Sequence, residues 1–153
     1  MTTITLEAIK VEQGKIAEMI ARFEAQAKTR LITLPEAQIE LKDGEDYAGI
    51  ILGKEGEISY HLILLPGEAP SINWSDAKGW ATGIGGALPD RREQALLYAN
   101  LKDQFQSAAY WSSEVYASDS DYAWYQIFDD GYQVYDTTNL KLRARAVRRL
   151  EIQ

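Results

Sequence analysis

An α+β protein with a separate helix at its front is the fold class that the sequence predicts. Three observations predict it: an apolar seam spaced 3 and 4 residues over 5–28, short β-branched runs bounded by glycine turns between 38 and 65, and a second half in which two capped helices precede four strand-like segments. With 153 residues, 46% of them apolar and 25% charged, the chain can bury a core without staples and is too apolar to be disordered. It has no Cys, which removes disulfides, thiolate zinc sites, iron–sulfur clusters and cysteine nucleophiles.

The first helix follows from Leu6, Ile9, Gln13, Ile16, Ile20, Phe23 and Ala27, an a/d seam with one polar member. Charges fill most of the remaining circumference, and Gly14 weakens the helix by about 1 kcal/mol. So narrow a stripe has two uses: packing on its own domain, or pairing with copies of itself as a short coiled coil in which Gln13 sets register and chain number. Residues 1–30 therefore form one expected unit and 38–153 a second. Thr29 to Glu36, with Pro35, ends the helix. Gln38–Lys42, Tyr47–Gly53 and Ile58–Leu65 read as a β meander closed by Pro66-Gly67. A helix is expected from Trp74 to about Thr82, capped by Asn73 or Ser75 and stopped by Gly83-Ile84-Gly85-Gly86. Asp90 caps the next, with Glu93 in the spacing of a capping box and Leu97, Tyr98, Leu101 and Phe105 as its buried stripe. Tyr110–Tyr116, Tyr122–Phe128, Gly131–Tyr135 and Leu140–Leu150 are the strands, with Asp129-Asp130-Gly131 as a hairpin turn.

Most chemically suggestive residues read as structural. His61, the sole His, sits in an apolar strand with no second His to share a metal. The glycines at 83–86 follow a helix and lack the Lys-Ser/Thr ending of a phosphate loop. Asp119, Asp121, Asp129 and Asp130 fit turn chemistry first, calcium or paired-carboxylate catalysis second. Lys141, Arg143 and Arg145 alternate with apolar residues and, with Arg148 and Arg149, read as a solvated strand face before a phosphate site. The net charge of −7 argues against sequence-independent nucleic-acid binding. No apolar run reaches the roughly 20 residues that span a bilayer, and no secretory signal is visible, so synthesis in a cytoplasm is expected.

The unusual feature is aromatic density. Nine of the 16 aromatics fall in the 26 residues from Tyr110 to Tyr135. Along Tyr122–Phe128 one strand face carries Tyr122, Trp124, Gln126 and Phe128, and the other Ala123, Tyr125 and Ile127. The larger set is expected in the core. Tyr125 and Ile127, with Tyr132 and Tyr135 near the hairpin, are then left for an exposed platform; Tyr116 and Tyr122 fit either place. Tyr and Ser among acidic residues compose an adaptable recognition surface, and exposed aromatic patches mark binding sites.

The ordered set Leu88-Pro89-Asp90-Arg91, Tyr110-Trp111-Ser112-Ser113, Tyr122-Ala-Trp-Tyr-Gln-Ile-Phe128, Asp130-Gly131 and Arg143-Ala-Arg-Ala-Val-Arg-Arg149 resembles the Lcl C-terminal domain family. That family is a domain of unknown function similar to the formylglycine-generating-enzyme subgroup of the C-type lectin-like fold, and the 47–82 region also looks like versions carried by tailed phages and prophages. The resemblance implies two helices flanking small, twisted antiparallel sheets, chain ends close together, and a ligand surface in Tyr116–Thr138. The cysteines of the oxidising members are missing here, and so are the calcium-dependent sugar motifs of the lectins.

The resulting expectation is a non-enzymatic phage or prophage recognition module without cofactor or metal, on the virion as an adhesin or in the host cytoplasm. Its ligand is a protein or a glycan. Tyr116, Asp119, Asp121, Tyr122, Tyr125, Tyr132, Tyr135 and Thr137 are the ligand-binding candidates. Leu6, Ile9, Gln13, Ile16, Ile20 and Phe23 are the candidates for holding a homo-oligomer, such as a trimer, together. Neither nucleic acid nor membrane insertion is expected. The alternatives are an intracellular accessory protein bound to a host protein, a structural virion part, and a glycan hydrolase using Asp119, Asp121 or Glu114.

Overall fold

The computed structural model describes residues 3–27 and 36–153. The chain divides into two units, Met1–Ile39 and Glu40–Gln153. In the first, helix α1 spans Leu6–Ala27. It opens with Thr5 Oγ1 accepting the Ala8 N–H at 3.1 Å, a side-chain cap. Ile9, Ile16, Ile20 and Phe23 of its seam are exposed, Phe23 by 70%. The expected end of the helix at 28 and the break over 29–35 lie outside the described residues.

The second unit is α+β, with strands β1 (Asp46–Ile51), β2 (Tyr60–Leu64), β3 (Ala69–Ile72), β4 (Ala109–Val115), β5 (Tyr122–Ile127), β6 (Gln133–Thr137), β7 (Leu142–Ala144) and β8 (Val147–Glu151). Two helices, α2 (Trp74–Gly83) and α3 (Arg91–Leu101), separate β3 from β4, and a single 3₁₀ turn follows α3. The strands form a three-stranded sheet, β1-β2-β8, and a five-stranded sheet, β3-β7-β4-β5-β6. Pairing is antiparallel throughout except between β4 and β7. The first and last strands of the unit both flank β2.

Both helix starts follow from local chemistry. Asn73 Oδ1 accepts the Asp76 N–H at 2.9 Å, which decides between the two expected caps. At α3, Asp90 Oδ1 accepts the Glu93 N–H and Glu93 Oε1 accepts the Asp90 N–H, both at 2.8 Å, the reciprocal pair foreseen from the spacing. The glycine run after α2 ends that helix, with Ile84, Gly85 and Gly86 N–H groups returning to Trp80, Thr82 and Ala81 carbonyls. His61 is buried in β2, its Nδ1 2.8 Å from the Tyr47 hydroxyl.

Strand alternation divides the core in two. Tyr110 and Trp111 are neighbours on β4 and so face opposite sides of the five-stranded sheet. Trp111 packs with Ala77 and Ala81 of α2, Leu88, Ala123, Ala144 and Ala146. Small residues at 77 and 81 let the helix approach closely. The Trp111 indole donates to Ile72 O at 2.9 Å and the Trp74 indole to Ser112 O at 2.8 Å, tying β4 to the β3–α2 corner. On the other side Tyr110 and Phe128 pack with Leu97 of α3 and with Ala48, Leu62, Leu64 and Val147. Phe105 stacks on Phe128 at 3.9 Å. A bulge at Gly49 (φ +134°) brings β1 against Leu96 and Asn100 of α3, where the Asn100 amide donates to Ala48 O at 2.6 Å.

Four expectations are corrected. Residues 38–42 form no strand. β3 was absent from the sequence reading; Pro70 breaks its ladder and is tolerated because β3 is an edge strand. The stretch 140–150 is two strands rather than one, since the chain leaves the five-stranded sheet at Ala144 and joins the three-stranded one at Val147. Its arginines are also not a solvated face. Arg143 pairs with Glu68 at 2.6 Å, Arg148 with Glu45 at 2.7 Å, and Arg149 with Glu93 at 2.6 Å. Arg145 is buried and donates to Gln104 O and Leu65 O.

Candidate functional site

Helix α3 covers only part of its face of the five-stranded sheet, and the candidate site lies where that cover stops. Gln126 and Phe128 are buried under α3, and the Gln126 amide donates to Gln94 O at 2.8 Å. Further along β5 the same face carries Trp124 and Tyr122, beyond the start of the helix, and both remain half-exposed. Tyr135, opposite Trp124 on β6, lies edge-on to it at 5.1 Å between ring centroids. Tyr116 stacks on Tyr135 at 3.9 Å with the planes 9° apart, and Tyr122 meets Tyr135 edge-on at 6.3 Å. The four rings form one cluster.

The turn between β4 and β5 sets that cluster in place. Tyr116 N–H donates to Tyr122 O, Asp119 N–H to Tyr116 O, and Tyr122 N–H to Asp119 O. Asp119 Oδ1 accepts the Asp121 N–H at 3.0 Å, the turn role foreseen for it. Thr137 is half-buried opposite Tyr122, its N–H held by Asp136 Oδ1 at 2.7 Å. Among the described residues no group of three His, Asp or Glu side chains is placed to hold a metal ion.

Beside the cluster runs a groove of about 720 Å³ between α3 and the β5–β6 hairpin. Arg91, Arg92, Glu114, Asp130, Tyr132 and Gln133 line it. Arg91 joins groove to cluster: its guanidinium carbon lies 3.5 Å from the centre of the Trp124 ring, and its Nε donates to Gln133 Oε1 at 2.9 Å. Gln133 returns its amide to Arg91 O at 2.7 Å and to Gln126 Oε1 at 2.9 Å. Glu114 accepts the Arg91 N–H at 2.7 Å. At the mouth Tyr132 is 69% exposed. The hairpin that presents it closes through Gly131, whose φ of +84° and contact with the Tyr98 ring exclude a side chain.

The structure thus brings Tyr116, Tyr122 and Tyr135 together and sets Tyr132 apart, in the groove. Tyr125 does not join them. It sits on the opposite face, edge-on to buried Trp111 at 6.0 Å, and burial raises its phenol above the ordinary value. The expected core set is likewise only half buried. Alternation showed that the two faces differ but not which helix covers how much of each. Arg91, Trp124 and Gln133 were missed as site residues; Arg91 was visible only as the last member of the Leu88-Pro89-Asp90-Arg91 motif. No protein-family model matches the chain, and no curated protein matches it in sequence.

Among the described residues no helix is long and apolar enough to cross a membrane.

Proposed function

We propose that the chain is a non-enzymatic recognition module that takes its ligand, protein or glycan, on the rings and groove at the open end of the β5–β6 face. One observation carries this reading: four half-exposed aromatic rings packed on each other, one of them (Trp124) under Arg91, stand on β5, β6 and the turn before β5, beside a groove large enough for a ligand. Rigid rings give contact area at little entropy cost. Site clefts of small ligands span about 300–1,000 Å³, which brackets the groove.

The C-type lectin-like assignment and the phage or prophage setting remain part of the proposal. Two helices against small, mostly antiparallel sheets, and first and last strands that both flank β2, fit the lectin-like assignment; the phage or prophage setting rests on the sequence resemblance alone. Assembly through α1 completes it. The exposed seam Leu6, Ile9, Gln13, Ile16, Ile20 and Phe23 repeats with heptad spacing, as in a homo-oligomeric coiled coil such as a trimer. Joining several sites in this way raises avidity by about 10²–10⁴. Such a protein acts on a virion surface or in the host cytoplasm. Glu114 and Asp119 have backbone-holding roles, which favours binding over a pair of hydrolytic carboxylates.

The test is an array of glycans and host surface proteins probed with the intact protein and with a Tyr132→Ala/Tyr135→Ala variant. The expected result is capture by the wild type, weakened about 30-fold or more in the variant, with little change in thermal midpoint. Equal capture by both proteins, or a variant that unfolds, counts against the reading.

A further inference from the structure

Arg91 differs from the other arginines of its unit. Arg143, Arg148 and Arg149 each hold a glutamate, Arg145 is buried against two carbonyls, and Arg92 gives Nη1 to Leu52 O at 3.2 Å. The Arg91 head is fixed by the Trp124 ring on its face and by Gln133 Oε1 at its Nε, and its backbone N–H by Glu114. Its two terminal nitrogens make no hydrogen bond and no salt bridge among the described residues. A guanidinium immobilised this way, with its fork open, is set to take a planar two-oxygen anion, and little rotamer freedom is left to lose on binding.

The rest of the groove narrows the ligand. Two arginines and two carboxylates line it, Arg91 and Arg92 against Glu114 and Asp130, so the local charge balances and a single added negative charge is tolerated better than a doubly charged phosphate. Glu114 uses Oε2 on Arg91 N–H, and Asp130 uses Oδ1 on Tyr132 N–H at 3.0 Å, which leaves one oxygen of each as an acceptor for hydroxyl groups. Tyr132 offers an exposed flat ring at the same mouth. A carboxylate for the fork, several hydroxyl donors and a flat apolar face are combined in an acidic sugar.

We infer that this groove binds a carboxylated saccharide of the uronate or sialate type. Its carboxylate forks onto the terminal nitrogens of Arg91, its hydroxyls donate to Glu114 and Asp130, and its ring lies on Tyr132. The assignment rests on the groove being the ligand site proposed above.

Titration calorimetry on the full chain tests it with two matched pairs of probes: an oligogalacturonide against its carboxyl-reduced form, and sialyl-lactose against lactose. Polyglutamate and inorganic phosphate supply the charge without the sugar. At least one acidic member is expected to bind about tenfold or more tighter than its neutral partner. Arg91→Lys, which keeps the charge and loses the fork, is expected to remove that preference, and Tyr132→Ala to weaken both members of the pair. Thermal midpoints of both variants confirm that they are folded. Equal affinity for acidic and neutral members, an Arg91→Lys variant that keeps the preference, equal binding of polyglutamate or phosphate, or no binding of any saccharide each overturns the assignment. Should that happen while Tyr132→Ala/Tyr135→Ala still abolishes capture on the array, the saccharide is wrong and the recognition reading stands. If that variant captures as the wild type does, both fall.

Discussion

Glu93 is the most heavily engaged side chain of the second unit, and replacing it probes what holds α3 in place. It is fully buried. Its Oε1 accepts from Arg149 Nη2 at 2.7 Å and Asp90 N–H at 2.8 Å, and its Oε2 from Arg149 Nε at 2.6 Å and the Tyr60 hydroxyl at 2.8 Å. Burial pushes the carboxyl up, but the Arg149 and Asp90 hydrogen bonds outweigh burial and hold it below its ordinary value. Glu93→Ala strands the Tyr60 hydroxyl and the Asp90 N–H and leaves Arg149 without its counter-charge. Breaking a buried pair from one side costs about 3–5 kcal/mol. The Arg149 side chain is 36% exposed and rehydrates, so the lower end, about 3 kcal/mol, applies. With a urea slope of roughly 1–3 kcal/mol/M, the midpoint falls by about 1–3 M. Arg149→Met is expected to cost a similar amount. The double variant Glu93→Ala/Arg149→Met is expected to lose much less than the two single losses together, because it leaves neither charge alone. Urea titrations of the three variants give these numbers. A Glu93→Ala loss under about 1 kcal/mol, or additive single losses, refutes the view that this pair clamps α3. Arg91 lies two residues before Glu93, so the same clamp sets the groove.

Further expectations follow from single contacts. Glu45 is held down to about 2 by its hydrogen bond with Arg148, so its contribution is present above about pH 4.5 and is lost as the pH falls from there toward 2. Glu45→Gln is expected to flatten the fall in stability over that window in circular dichroism. The effect is on the order of 1 kcal/mol, because the Arg148 side chain is partly exposed. Glu93 acts in the same direction, and Asp90, whose carboxyl burial raises, opposes both. Gly131→Ala forces a side chain into a left-handed backbone and 2.9 Å from the Tyr98 ring, and is expected to cost about 1–3 kcal/mol in thermal unfolding. Ile16→Asp in the intact chain is expected to reduce an assembled particle to single chains in light scattering; an unchanged mass removes the coiled-coil proposal.

What the sequence made legible was mostly local. The caps at Asn73 and Asp90 depend on a few neighbouring residues, and so do the glycine stop after α2 and the turn at Gly131. The two faces of β5 were legible as alternating, and Phe128 was rightly placed in the core. That Tyr125 does not share a face with Tyr135 was not legible, because how each face is covered depends on α2, which packs there from a distant part of the chain. Lys141, Arg143 and Arg145 alternate as a solvated face would, but the partners of Arg143, Arg148 and Arg149 are glutamates at 68, 45 and 93, and Arg145 is buried on distant carbonyls, all out of reach of any local pattern. The same holds for Arg91, whose partners Trp124 and Gln133 arrive only when α3 docks on the sheet. Pro70 hid β3, since a proline argues against a strand unless the strand is known to be at an edge.

Tyrosine nitration followed by peptide mass spectrometry on the intact protein tests most directly whether the late rings face solvent on a rigid scaffold. Tyr132 and Tyr135 are expected to be modified first, while Tyr110 stays protected until the protein unfolds. Protection of Tyr132 and Tyr135 equal to that of Tyr110 would contradict the account.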